Sequence, residues 1–186
     1  MKLAVFPLLC DGIKVVRSQR MSDTRGYFAE TYVRQDFVAA GIEHEFIQDN
    51  ESRSLAAGTV RGLHFQVPPF AQTKLVRVLR GRILDVVVDL RRSSPTYGKH
   101  LTVELNETTG DQLLVPTGFA HGFCTLEADS VVFYKVDKIY SANHERGIFW
   151  ADVTLGIEWP IASTEAIVSE RDLGLPQFFE LPAYFD

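Results

Sequence analysis

The stretch GDQLLVPTGFAHGF, Gly110–Phe123, decides how the rest of the chain is read. Gly110 suits a turn into a strand, and Pro116 with Gly118 makes a tight turn that aims His121 inward from the following segment. The same rhythm of short strands and turns continues outward from it. "KLVRVLRG", "RILDVVVDL", "KHLTVEL", "DSVVFYKVDKIY" and "TLGIEW" are β-branched or aromatic runs with a period of two, broken by Gly, Pro, Asn and Ser. The core strands are expected within residues 74–140. Helical spacing is confined to "VRQDFVAAG", closed by Gly41, and to "ASTEAIVSERDLGLP", ahead of Pro176. No repeat, low-complexity tract or Pro/Ser-rich linker is present, so a compact, mainly β sandwich or barrel is expected.

Composition bounds what such a barrel can do. With 186 residues, 46% of them hydrophobic, the chain can bury a real core as one domain. The expected parts are an N-terminal arm over about 1–50, a barrel core over about 51–160 and a C-terminal segment over about 161–186. A net charge of −5 without blocks of like charge makes neither duplex nucleic acid nor an anionic membrane a natural partner. "MKLAVFPLLC" imitates a lipoprotein signal, but Pro7 and Asp11 interrupt it, and a first β-strand is expected there. No uncharged apolar run reaches the roughly 20 residues that span a bilayer, so a soluble protein is expected. Cys10 and Cys124 both sit in apolar sequence, which favours a reducing compartment, the cytoplasm.

Alternation in "RILDVVVDL" puts Ile83, Asp85, Val87 and Asp89 on one face and Arg82, Leu84, Val86, Val88 and Leu90 on the other. A carboxylate inside a barrel needs a cation or donors, so Asp85 or Asp89 is expected to meet a histidine; the alternative is a solvated face on an edge strand. The spacing from Gly110 through Pro116 and Gly118 to His121 resembles the second motif of the cupin superfamily, small double-stranded β-helix (jelly-roll) barrels. The first cupin motif carries a His-x-His pair and a glutamate for a metal. Here Gly58 and His64 fit, but Gln66 takes the second ligand position and Lys74 the glutamate position. A protonated lysine repels a divalent ion. The resemblance therefore implies a barrel with no metal, in which Lys74 lies close to His64 and His121.

A cation beside a neutral histidine suits removal of a proton from carbon next to a ketone: the imidazole takes the proton and the cation stabilises the enolate oxygen. An epimerase also needs an acid on the opposite face of the sugar. Tyr134 is a candidate, its phenol ordinarily near ~10 and expected to be shifted toward the phenolate by cations such as Lys74.

"RGLHFQ", "DTRGYFAETY", "IQDN", "PTGFAHGF", "FYKVDKIY", "HERGIFWAD", "IEWP" and "SERDLGLP" together resemble the dTDP-4-dehydrorhamnose 3,5-epimerase family over nearly the whole chain. The resemblance implies a metal-free and cofactor-free cupin homodimer. It would invert C3 and C5 of dTDP-4-dehydro-6-deoxy-D-glucose on the path to dTDP-L-rhamnose, a precursor of lipopolysaccharide or cell-wall polysaccharide. It implies His64 as base, Tyr134 as acid, Lys74 as the group polarising the C4 ketone and Asp172 as the carboxylate orienting His64. Arg25 and Arg61 would pair with the diphosphate. Glu30, Gln48, Asp49 and Asn50 would read the nucleotide, with Phe28 and Tyr140 against the base. His121, Glu145 and Arg171 complete the implied substrate contacts, and Asp85 stands behind them as a supporting candidate. His44, His100 and His144 match no role. An N-terminal arm crossing to a partner would bring Arg25, Phe28 and Glu30 into its site. Inversion at one centre alone is an alternative. So are a metal-dependent cupin oxygenase or lyase, which Gln66 and Lys74 disfavour, and a non-catalytic jelly roll that binds a nucleotide sugar.

Overall fold

The computed structural model describes residues 2–186. Two antiparallel sheets face each other. β1 (Leu3–Pro7), β2 (Lys14–Ser18), β10 (Gln112–Val115), β7 (Lys74–Arg80), β12 (Ser130–Val136) and β5 (Gln48–Ser54) form, in that spatial order, a six-stranded sheet. β13 (Glu145–Gly147), β6 (Val60–Gln66), β11 (Phe119–Thr125), β8 (Arg82–Asp89) and β9 (His100–Asn106) form the five-stranded one. The result is the expected jelly roll.

The period of two puts one set of side chains between the sheets. Val76, Val78, Ile83, Val87, Leu105, Leu113, Phe119, Phe123 and Val132 form the central cluster. Each fully buried Leu or Ile there contributes about 1.5–3 kcal/mol over leaving it in water. The five-stranded sheet is buried on its other face as well, where Leu63, Phe65, Val86 and Val88 meet Phe178, Tyr184 and Phe185 of the C-terminal segment. On the outside of the six-stranded sheet, the short helix α1 (Arg34–Ala39) lays Phe37 over Leu3, Val16, Leu75 and Leu114.

Three expectations change. "TLGIEW" is not a strand: Asp152 Oδ1 accepts from the backbone N–H groups of Thr154 and Leu155, and Gly156 at φ +62° turns the chain. The strand in "DSVVFYKVDKIY" ends at Val136. The barrel core also extends below residue 74, because β2, β5 and β6 are integral to the sheets. β5, "QDNESRS", escapes the hydrophobic pattern because its inward side chains line a polar cavity rather than a core. Within the expected N-terminal arm, β1 and β2 belong to the six-stranded sheet. Only the hairpin of β3 (Met21–Asp23) and β4 (Gly26–Phe28) pairs apart, every residue of both strands exposed.

Neither acid of β8 faces solvent: Asp85 and Asp89 are both fully buried, and the strand is no edge, lying between β11 and β9. Asp85 meets His121, whereas Asp89 meets no histidine. Its carboxylate accepts two bonds from the Arg91 guanidinium and one each from Ser94 and Thr96. Burial pushes the Asp89 carboxyl up, but Arg91, Thr96 and Ser94 outweigh it and hold it at about 2. Its stabilisation is therefore present above the ordinary value of 3.8 and fades as pH falls toward about 2. Asp89→Ala leaves the partly exposed Arg91 guanidinium and the Ser94 and Thr96 hydroxyls without their acceptor and should lower urea-unfolding stability at neutral pH by about 1–3 kcal/mol; a loss below about 0.5 kcal/mol would show that water replaces the carboxylate.

Candidate active site

At one end of the sandwich the sheets part around a cavity of about 510 Å³, which shares His64, Lys74 and Tyr134 with an adjoining one of about 240 Å³. The walls come from different sheets. His64 stands on β6, opposite His121 on β11, in the five-stranded sheet. Lys74 and Tyr134 stand on β7 and β12 in the six-stranded sheet. Lys74 bridges the gap, its Nζ donating to the His64 carbonyl at 3.3 Å.

Two histidine–carboxylate pairs line the same wall. His64 Nε2 lies 2.8 Å from Asp172 Oδ1, and His121 Nε2 lies 3.0 Å from Asp85 Oδ2. Asp172 comes from α2 (Glu170–Leu173), whose N-cap Ser169 accepts from the Asp172 N–H. Burial raises the Asp172 pKa, but the bond to His64, its charge, the Gly62 N–H and Ser169 bring it below the ordinary range. Asp172 is thus ionised and accepts from Nε2, which leaves Nδ1 as the ring nitrogen able to take up a proton whenever the imidazole is neutral.

Lys74 is held at about 8 because burial strips water from its ammonium more than Asp85 and Glu145 compensate. Tyr134 corrects an expectation: burial first, then the charge of Glu145, push its phenol up, against the opposing pull of Arg61. Lys74 does not draw it toward the phenolate, and the side chain stays a protonated donor. Glu145 accepts from Tyr140 Oη at 2.6 Å and pairs with Arg171 at 2.5 Å. Burial raises Glu145, and Tyr140, Arg171 and His64 together lower it below the ordinary value.

Other implied residues divide by position. Arg61 lines the cavity and is braced by Ser54 Oγ and the Arg53 carbonyl on β5. Gln48 and Asn50 face the adjoining cavity and bond to each other. Asp49, between them, points to the opposite face and pairs with Lys135, as strand alternation requires. Arg25, Phe28 and Glu30 line neither cavity: Arg25 pairs with Asp23, Glu30 with Lys2, and Phe28 is exposed. His44, His100 and His144 bond to Asp137, the Leu155 carbonyl and Ser141. Ser52, Ser169 and Gln72 also line the cavities. Of these only Ser169 had a signal, as a cap before "ERD". The donor set suits a metal poorly, because the Gln66 amide is spent on the Phe70 and Ile139 carbonyls and the Ser141 N–H. Among the described residues, no three His, Cys, Asp or Glu side chains cluster as a metal site.

A family model described as dTDP-4-dehydrorhamnose 3,5-epimerase matches residues 8–180. The chain belongs to that family. The dTDP-4-dehydrorhamnose 3,5-epimerase of Sinorhizobium fredii is 50% identical over 173 residues, 93% of this chain and 88% of its own. A crystal structure of the Bacillus anthracis epimerase with TDP and PPi bound is 46% identical, covers 94% of this chain and 99% of its own, and superposes with a TM-score of 0.91. The Legionella pneumophila enzyme in complex with dTDP-4-keto-L-rhamnose is 35% identical, covers 97% and 95%, and has the same TM-score of 0.91. The jelly roll is thus the cupin-type fold of these epimerases, and the chain is an isomerase. Among the described residues, no helix is long and apolar enough to cross a membrane.

The lysine gives the site a measurable handle. In the free protein the Lys74 side-chain carbon resonances should titrate with a midpoint near 8, and a midpoint at the ordinary lysine value of ~10.4 would mean that the ammonium is hydrated.

Proposed function

We propose that the chain epimerises dTDP-4-dehydro-6-deoxy-D-glucose at C3 and C5 to dTDP-4-dehydro-L-rhamnose, with His64 as base and Tyr134 as acid. The observation that carries this reading is that the two stand on opposite sheets of one cavity, with the Lys74 ammonium reaching between them. A sugar ring lying between the sheets would present one face to each. His64 Nδ1 takes the proton from carbon, the electron pair moves into the C4 carbonyl, and Lys74 stabilises the resulting oxyanion. Tyr134 then delivers its proton from the other side, and solvent restores both side chains. Asp172 keeps Nε2 protonated and stabilises the imidazolium. Arg61 holds the diphosphate by its guanidinium fork, while Gln48, Asn50 and Tyr140 meet the nucleotide.

The same reading makes the chain a homodimer that works as one domain per protomer in the cytoplasm, with the buried Cys10 and Cys124 reduced. The exposed β3–β4 hairpin, carrying Met21, Tyr27 and Phe28, is the part suited to reach a partner's cavity with Arg25 and Glu30.

Given the keto sugar in D₂O, the protein should yield product deuterated at both C3 and C5, read by proton NMR, with no effect of chelators. Product without deuterium would rule out proton exchange with solvent. For the dimer, Arg25→Ala and His64→Ala chains should each be nearly inactive alone. Mixed by co-expression, they should recover about one quarter of wild-type activity, because one of the two sites in each hybrid is intact. No recovery would place Arg25 in its own protomer's site.

A further inference from the structure

β6 carries an irregularity beside the base. Antiparallel pairing with β11 matches Cys124 to Val60 and Phe123 to Arg61, but His121 to His64, so the register slips by one residue between Phe123 and His121. The slip leaves Gly62 and Leu63 together opposite Gly122, a β-bulge. Its consequence is one of parity. Arg61 and His64 are three residues apart, and in a regular strand they would point to opposite faces; here both line the same cavity.

Both glycines are required by the close approach. Gly62 sits at φ +118°, and a Cβ there would lie 2.6 Å from the Gly122 Cα and 2.8 Å from the His121 carbonyl. The φ of Gly122 lies outside the left-handed region, so only space demands glycine: a Cβ would lie 2.7 Å from the Arg61 carbonyl and 3.1 Å from the Gly62 Cα. The bulge also presents the Gly62 N–H to Asp172 Oδ2 at 3.2 Å, while Oδ1 of the same carboxylate holds His64 at 2.8 Å.

We propose that the Gly62–Gly122 backbone contact is the positioning element of the base: it holds the bulge that turns His64 into the cavity beside Arg61 and fixes Asp172 behind it. This deepens the epimerase reading and rests on it. A methyl group at residue 122 would push β6 off β11, rotate His64 and pull the Gly62 N–H from Asp172. Arg61 is separately braced on β5, so nucleotide binding should survive.

Gly122→Ala is the test, with Gly98→Ala as the control. Gly98, at φ +71°, is another position where alanine is strained, but it packs against Phe178 and lines neither cavity. Gly122→Ala should lower kcat about 10²-fold, the cost of roughly 1 Å of misplacement, with dTDP affinity within about threefold. In the substrate-free protein the low-field His64 ring N–H resonance should move upfield or broaden away. Gly98→Ala should lose thermal stability while keeping both kcat and the resonance. A folded Gly122→Ala protein with kcat within twofold of wild type and an unchanged resonance would overturn the proposal. Should Gly122→Ala fail to fold, the Gly62 amide of the wild-type protein decides: slow hydrogen exchange and a downfield shift, both lost in Asp172→Asn, support the proposal, and an amide indifferent to Asp172 contradicts it. The resonances need no turnover, so a wild-type protein with the expected spectra but no epimerase activity would fail the functional reading alone.

Discussion

The Asp172 carboxylate is the point on which fold and site both depend. It reaches from near the end of the chain to β6, accepting from the His64 ring through one oxygen and from the Gly62 backbone through the other. A buried carboxylate is costly unless its charge is matched by donors, and these contacts supply them. α2 has four residues and could not persist alone as a helix. It is held by the carboxylate's contacts to β6, so the same contacts that orient the His64 ring also dock the C-terminal segment.

The jelly roll contributes a second constraint, two walls. Proton removal and return from opposite sides of a ring require groups that approach from opposite directions, and a sandwich open at one end provides them without moving parts. Lys74 then sets the electrostatics between the walls. Its depressed pKa, about 8, leaves its ammonium charged at neutral pH but close to its limit. Glu145 acts on both Lys74 and Tyr134, favouring the protonated form of each.

The strand pattern made most of the barrel legible, because residues 74–136 follow the period of two on which sheet packing depends. That rule put Asp85 and Asp89 on one face but left open which of them met a histidine and whether the face was solvated; the structure selects Asp85. What escaped were the places where polar chemistry replaces the pattern. β5 has no apolar face because its inward residues Gln48, Asn50 and Ser52 serve cavities, and the contiguous "QDN" hides the alternation that sends Asp49 outward. The common cavity of Arg61 and His64 violates the period, since a bulge has no signature beyond a glycine. Tyr134 was misjudged because its titration depends on burial and on Glu145, which stands on β13 of the other sheet and lines the adjoining cavity with it.

The account stands on Asp172 acting through His64, and the rate of solvent exchange at substrate carbon in Asp172→Asn measures that directly. The amide keeps the shape of the side chain but removes its charge and reverses one hydrogen bond. Exchange should fall by about 10²–10⁴-fold with dTDP binding preserved. Exchange within a few-fold of wild type would mean that His64 needs no carboxylate, and the central claim would fail.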